Sequence, residues 1–92
     1  VPGFVVQFGT IASPEDFVGK LRAAAAAYGV LRMKGFMAVE GKDMRLLVQG
    51  VGDRYQHYYD RDWAGDEARA SHLVVIGLHG LDEVAIRAMI LN

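Results

Sequence analysis

Two apolar stretches separated by a short polar turn constrain the fold of this chain more than any other feature. The first runs from Val30 to Val39 and the second from Met44 to Val51, with Glu40-Gly41-Lys42-Asp43 between them. Apolar side chains recur at every second position over much of both stretches, which is typical of strands with one buried face. The intervening turn has the length of a hairpin loop, so the sequence predicts an antiparallel β-hairpin.

The alternation in the hairpin also predicts which side chains share a face. Successive side chains of a strand point to opposite sides of the sheet. One face of the first strand is expected to present Leu31, Met33, Met37 and Val39, and the other Arg32, Lys34, Phe36 and Ala38. One face of the returning strand is expected to present Met44, Leu46 and Val48.

A helix is predicted immediately before the hairpin. Ser13-Pro14-Glu15-Asp16 combines an N-cap serine, a proline at the first helical position and two acids at the positive end of the helix dipole. The helix is expected to reach Tyr28, with Gly29 as the residue that ends it. Its apolar face is expected to contain Phe17, Leu21, Ala24 and Tyr28.

The remaining segments predict three further strands and a second helix. The strands are Phe4–Phe8, Arg54–Tyr59 and Leu73–Ile76, the helix runs from Leu81-Asp82-Glu83 to Leu91, Gly9–Ala12 is a connection and Asp60–Ala70 an exposed loop. Because the third of these strands is continuously apolar, it is expected to be covered on both faces or to lie centrally. The order β-α-β-β-β-β-α predicts one α+β domain over residues 1–92, with an antiparallel or mixed sheet and two helices on one face.

The composition excludes several classes of function. The 92 residues include no cysteine, which excludes disulfides, thiolate metal sites and thiol catalysis within this sequence. A formal net charge of −1 argues against a nucleic-acid partner, since such binders usually have a basic excess. The sequence contains no apolar run of the ~20 residues that span a membrane. We therefore expect a cytoplasmic domain with no membrane partner. Because the sequence begins Val1-Pro2-Gly3 without an initiator methionine, we also expect it to be excised from a longer protein.

No sequence motif indicates a catalytic or nucleotide-binding site. The glycines form neither a P-loop nor a dinucleotide-binding pattern. The two serines, Ser13 and Ser71, are explained by helix capping and by a strand start. The carboxylate pairs fall at predicted helix starts or in a polar loop, without the shielding that acid–base catalysis needs.

Two binding hypotheses arise from the histidines and the aromatic residues. His57, His72 and Asp60 form a metal-binding hypothesis, although the three histidines lack the spacing of a ligand motif. Lys34-Gly35-Phe36 begins like an RNA-recognition strand, but the aromatic residues that should follow are missing.

An arginine-rich and aromatic set of residues forms a candidate interaction surface. Arginine, tyrosine and tryptophan are favoured at protein interfaces. The set comprises Arg32, Lys34, Gln49, Arg54, Tyr58, Arg61, Trp63 and Arg69. Trp63 has two open interpretations: it contributes to an interface, or it holds its own loop against the edge of the core.

The chain also resembles a known family over Phe4 to Leu91. The segments that resemble it are Gly29–Phe36, Met44–Gly52, Tyr59–Trp63, His72–Gly77 and Leu81–Glu83. In order and spacing they are similar to the C-terminal domain of the CobW family of nucleotide-dependent metallochaperones, some of which are linked to cobalamin biosynthesis.

The resemblance implies an accessory domain that follows an N-terminal GTPase domain. In that family the P-loop and a C-x-C-C metal motif belong to the GTPase domain, so no catalytic, cofactor-binding or metal-binding residue is assigned here. The implied parent binds GTP, Mg²⁺ and a transition metal such as zinc or cobalt. The implied partners are the GTPase domain and a client metalloprotein. A free-standing domain that binds a small ligand or metal, and a homo-oligomer formed through a sheet edge, remain alternatives.

Overall fold

A computed structural model describes residues 2–92 and confirms the predicted α+β fold. Its elements are β1 (Gly3–Phe8), β2 (Thr10–Ile11), α1 (Pro14–Tyr28), β3 (Val30–Val39), β4 (Met44–Val51), β5 (Arg54–Asp62), β6 (Ser71–Gly77) and α2 (Glu83–Leu91). The bounds of α1, β3 and β4 agree with those predicted from the sequence. Neither helix in this part of the chain is long and apolar enough to cross a membrane.

Helix α1 begins and ends as its flanking residues predict. The Ser13 hydroxyl accepts a hydrogen bond from the backbone N–H of Asp16 at 3.2 Å. At the other end, Gly29 adopts a left-handed conformation with φ of 68°, and its N–H donates to the Ala25 carbonyl. Glycine takes this conformation without a steric penalty from a Cβ atom, so the chain can turn directly from α1 into β3.

The sheet has the strand order β1-β6-β3-β4-β5, with every one of these neighbours antiparallel. Strands β1 and β3 therefore run in the same direction, but β6 lies between them. The short strand β2 pairs with β3 in parallel through Thr10 and Ile11, which makes the whole sheet mixed. The sequence predicted only a connection there, because a two-residue strand has no periodicity to detect.

Both helices cover one face of the sheet, as predicted. Inward side chains from the sheet pack with the buried faces of α1 and α2 in one core. The fully buried members include Val6, Leu21, Met33, Met37, Leu46, Val48, Leu73, Val75 and Ile86. Strand β6 is central, which is one of the two predicted alternatives, but the helices cover only one of its faces. Val74 and Ile76 point to the other face and are half-buried.

The predicted alternation fails at the beginning of β3. The pairing register with β6 shifts between Val30 and Arg32, so Leu31 has no partner there and is 37% exposed. The prediction that Leu31 shares the buried face of Met33 is therefore wrong. Such a bulge adds one residue to a strand and interrupts its alternation. The structure also leaves Tyr28 exposed, although helical spacing predicted it on the apolar face of α1.

Strand β5 extends beyond its predicted end. It continues to Asp62, and a second register shift lies opposite Arg45 and Leu46. Trp63 follows directly and is buried, with only 6% of its surface exposed. The predicted loop from Asp60 is therefore wrong for residues 60–62, which are paired in β5, although they are exposed as predicted. Charged side chains at a sheet edge can face solvent while their backbone remains paired. For Trp63 the predicted exposure is wrong.

Candidate interaction surface

The sheet face opposite the helices, here called the open face, brings together five of the eight predicted interaction residues. Cross-strand pairing aligns their side chains in rows. Arg32 and Arg54 both pair with Val51, and Lys34 pairs with Gln49. Tyr58 belongs to a third row, opposite Leu47. Alternation puts Arg32 and Lys34 on one face of β3 and Arg54 and Tyr58 on one face of β5. The cross-strand pairs bring both sets to the same side of the sheet.

The charge on the open face is unbalanced. Within residues 2–92, Arg32, Lys34 and Arg54 take part in none of the salt bridges. The carboxylate of Asp60 is bound by Arg45, with 2.6 Å between Arg45 Nη2 and Asp60 Oδ2. The open face therefore presents three cations whose charge no carboxylate neutralises, although the whole sequence has a net charge of −1. Arg32 and Lys34 lie on β3, in the centre of the strand order, and Arg54 begins the edge strand β5.

Two shallow grooves lie on either side of the Arg32 and Lys34 side chains. One has a volume of about 310 Å³ and is also lined by Val51, Arg54 and residues of β4 and β5. The other has a volume of about 260 Å³ and is bordered by Val74 and Ile76 of β6. Val51 and Ile76 are not among the residues of the surface predicted from the sequence. The sequence shows that both are apolar, but their position beside the cations follows from strand order.

An aromatic cluster closes one end of the open face. The Phe36 ring stacks on His72 with 5.5 Å between ring centroids, and the Arg45 guanidinium carbon lies 4.7 Å from the Phe36 centroid. Trp63 meets Phe36 edge-on at 5.9 Å. Because Trp63 is buried, it packs within the domain, which supports the interpretation that it holds its loop against the sheet.

Arg61 and Arg69 lie at the rim and are already paired. Arg61 donates to both carboxylate oxygens of Glu67, at 2.9 and 2.8 Å, and Arg69 donates to Asp43 at 2.8 Å. The Arg61 guanidinium and the Ala64 N–H lower the pKa of Glu67 from 4.5 to about 2. These rim cations are neutralised locally, unlike Arg32, Lys34 and Arg54.

The residues proposed for a metal site do not come together. His72 lies on the open face beside Phe36 and Gln7. His57 pairs with Val48 and points to the helix-covered face, so the sheet separates the two imidazoles. In the part of the chain that the structure describes, no three His, Asp or Glu side chains are grouped to hold a metal. The metal hypothesis from His57, His72 and Asp60 is therefore wrong, and these donors do not fit a zinc ion.

The sequence and fold of this chain are similar to those of known proteins. The sequence profile described as the cobalamin synthesis protein cobW C-terminal domain matches residues 1–92. The chain belongs to the CobW C-terminal domain family. Among curated members, it is 54% identical over 87 residues to the zinc chaperone CobW of Sinorhizobium sp. It is 58% identical over 59 residues to the zinc chaperone CobW of Pseudomonas aeruginosa.

Solved structures of the family extend the agreement to three dimensions. The zinc-bound YjiA GTPase from E. coli superposes with a TM-score of 0.76 at 33% identity, over 97% of this chain and 28% of that one. The match to the Sinorhizobium relative includes 95% of this chain but only 25% of that relative. This chain therefore spans about a quarter of the length of the relative. The family and fold are therefore established for this chain, and they agree with the resemblance seen in the sequence.

Proposed function

We propose that this chain is the accessory C-terminal domain of a nucleotide-dependent zinc chaperone and acts there as a protein-interaction module. GTP, Mg²⁺ and the zinc cargo would bind to the GTPase domain that precedes it in the parent. The names of the relatives favour zinc over cobalt as the cargo. We further propose that the parent is cytoplasmic; its link to cobalamin biosynthesis rests on the name of the family.

The open face is the observation that supports this role most directly. It combines unneutralised cations with exposed apolar side chains and with Tyr58, whereas Phe36, His72 and Trp63 pack against one another within the domain. Arginine and tyrosine beside apolar surface are favoured at protein interfaces. We propose that the open face contacts either the GTPase domain or the client, and that nucleotide state changes this contact. Such coupling requires that the two nucleotide states differ in their contacts with the domain.

The first experiment asks whether the parent has the proposed architecture. The gene is sequenced upstream of the codon for Val1. The expected result is a reading frame that encodes a P-loop and a C-x-C-C motif. A start codon immediately before Val1 would contradict the accessory role and leave a free-standing domain.

The second experiment tests the open face in the full-length protein. Arg32→Glu combined with Arg54→Glu is expected to slow zinc delivery to an apo-metalloprotein while GTP binding stays unchanged. The control combines Lys20→Glu with Lys42→Glu, which alters the net charge equally but lies in α1 and in the β3–β4 turn. Delivery at the original rate in the open-face variant, or an equal loss in the control, would rule out this surface.

Self-association through a sheet edge is the second candidate, supported by the position of β5. Nine residues of β5 form one edge of the sheet, and their outer backbone groups have no partner strand in residues 2–92. At the opposite edge, Arg87 Nη2 donates to the Val5 carbonyl, so β1 is partly covered. Light scattering across a concentration series tests this candidate. A dimer abolished by a proline in β5 would favour it.

A further inference from the structure

We propose that the open face binds an acidic segment of a partner protein, in which carboxylates flank an aliphatic side chain. This inference rests on the proposed function, because it identifies the chemistry of the partner at the same surface. The argument begins with the order of side chains across the sheet.

Apolar and basic side chains alternate along one row that crosses four strands. Ile76 of β6 pairs with Arg32 of β3, Arg32 pairs with Val51 of β4, and Val51 pairs with Arg54 of β5. Neighbouring strands lie about 4.8 Å apart, so the backbones of Arg32 and Arg54 are about 10 Å apart, with Val51 between them. Val51, the last residue of β4, is 55% exposed, so its aliphatic side chain is accessible between the two arginines. A complementary ligand has carboxylates on both sides of an aliphatic group.

Charge complementarity selects an acidic partner. Lys34 adds a third cation in the neighbouring row, where its neighbours Gln49 and Gln56 are uncharged. Opposite charges across an interface attract the correct partner and repel wrong ones. A second copy of this chain would present the same cations to the open face, so face-to-face pairing would bring like charges together.

The apolar side chains in the row favour a protein partner over a nucleic-acid partner. A phosphate backbone would neutralise the cations but would offer nothing to Val51 and Ile76. Single-stranded nucleic acids also need aromatic side chains on which bases stack. On the open face Phe36 is already stacked on His72, which leaves Tyr58 as the aromatic side chain exposed there within residues 2–92.

The size of the surface favours a short segment over a whole globular partner. The two grooves of about 310 and 260 Å³ share Arg32 and Lys34 as their common wall. Together they cover only four neighbouring strands, a width of about 15 Å. Stable interfaces between globular proteins involve about 20–30 residues on each partner. Eight residues line the first groove and four line the second. A segment of a few residues can place one aliphatic side chain in each groove and its carboxylates beside the cations.

The test uses nitrogen-15 NMR of the 92-residue chain with three capped hexapeptides as probes. The first alternates glutamate with valine, the second lysine with valine, and the third glutamate with glycine. We expect only the glutamate–valine peptide to shift the amides of Arg32, Val51 and Arg54 at low salt. Its affinity should fall about tenfold in the variant that combines Arg32→Glu with Arg54→Glu, since ion pairs are lost and repulsion replaces them.

Three outcomes would overturn the inference. The first is equal binding of the lysine–valine peptide, and the second is equal binding of the glutamate–glycine peptide. The third is tighter binding of an oligothymidylate to the same amides. The control variant that combines Lys20→Glu with Lys42→Glu must bind the glutamate–valine peptide with the affinity of the original chain. If zinc delivery depends on Arg32 and Arg54 but the peptide fails to bind, the proposed function stands and only the acidic-segment inference fails.

Discussion

Arg45 holds the carboxylate of Asp60 in a two-point hydrogen bond, from Nε at 3.1 Å and from Nη2 at 2.6 Å. The pair spans the register shift between β4 and β5, where Asp60 has no partner residue in β4. The same guanidinium lies over Phe36, the ring that also contacts His72 and Trp63. One arginine therefore joins the bulge in the edge strand to the aromatic cluster.

We expect Arg45→Met to destabilise the domain by about 1–2 kcal/mol, because it removes a charge-assisted pair and a cation–π contact. The two side chains of this pair are only 18% and 19% exposed. The matched control is Arg69→Met, which breaks a pair with 50% and 89% exposure. That loss should be below about 1 kcal/mol. Urea denaturation measures both variants, and equal losses would contradict the special role of Arg45.

The loop after Trp63 should loosen in acid. The pKa of Glu67 is lowered from 4.5 to about 2 by its hydrogen bonds from Arg61 and from the Ala64 N–H. Its contribution to stability is therefore complete above pH 4.5 and is lost as pH falls towards 2. The pKa of Asp60 is also lowered, mainly by the Arg45 hydrogen bond, so its contribution is lost in acid as well.

Carboxyl carbon-13 shifts across a pH series measure the Glu67 titration directly. The Ala64 amide shift should follow the same curve, and Glu67→Gln should abolish that transition. A Glu67 midpoint near 4.5 would contradict the ion pair with Arg61.

Gly35→Ala is expected to destabilise the domain by roughly 1–3 kcal/mol through overpacking. A Cβ atom at this position would overlap the His72 carbonyl oxygen and crowd Leu73. These are backbone atoms of the neighbouring strand, so they cannot move aside as a flexible side chain could. Thermal unfolding measures the effect.

Gly19→Ala is the matched control for this substitution. Gly19 lies within α1, and nothing lies within 4 Å of the Cβ that alanine would add. Since alanine favours a helix over glycine by up to about 1 kcal/mol, this variant should be stabilised. A similar loss in both variants would show that crowding at residue 35 is not the cause.

Ser71→Ala should cost about 1–3 kcal/mol, because it leaves buried polar groups without partners. Ser71 is 2% exposed; its hydroxyl donates to the Gly9 carbonyl at 2.8 Å and accepts from the Ala38 N–H at 3.0 Å. Hydrogen exchange gives a specific readout, in which the Ala38 amide should lose protection in this variant. In Ser13→Ala, which removes a helix cap instead, the Ala38 amide should exchange at a rate that reflects only the change in global stability.

The open face could be predicted only in part from the sequence. Alternation in β3 and β5 placed Arg32 with Lys34 and Arg54 with Tyr58, because the period of a strand is a local property. The contribution of Val51 and Ile76 depends on which strands are neighbours. Trp63 belongs to the predicted surface by its residue type, but its side chain is buried. An aromatic residue is as typical of a core as of an interface, so residue type alone does not distinguish the two.

The elements that can be predicted correctly from the sequence are those whose signals lie within a few residues. The Ser13 cap and the Gly29 stop define α1, and the polar turn defines the β3–β4 hairpin. Caps and turns are encoded by side chains next to the backbone groups that they satisfy.

The assembled fold sets the insertion of β6 between β1 and β3, the pairing of β2 and the two register shifts, none of which has a local signal. It also decided that His57 and His72 lie on opposite faces of the sheet. Strand order and register arise from contacts between residues far apart in the chain, so no local pattern specifies them. The uncompensated cations of the open face belong to this second class, because their isolation from carboxylates exists only after the strands have assembled.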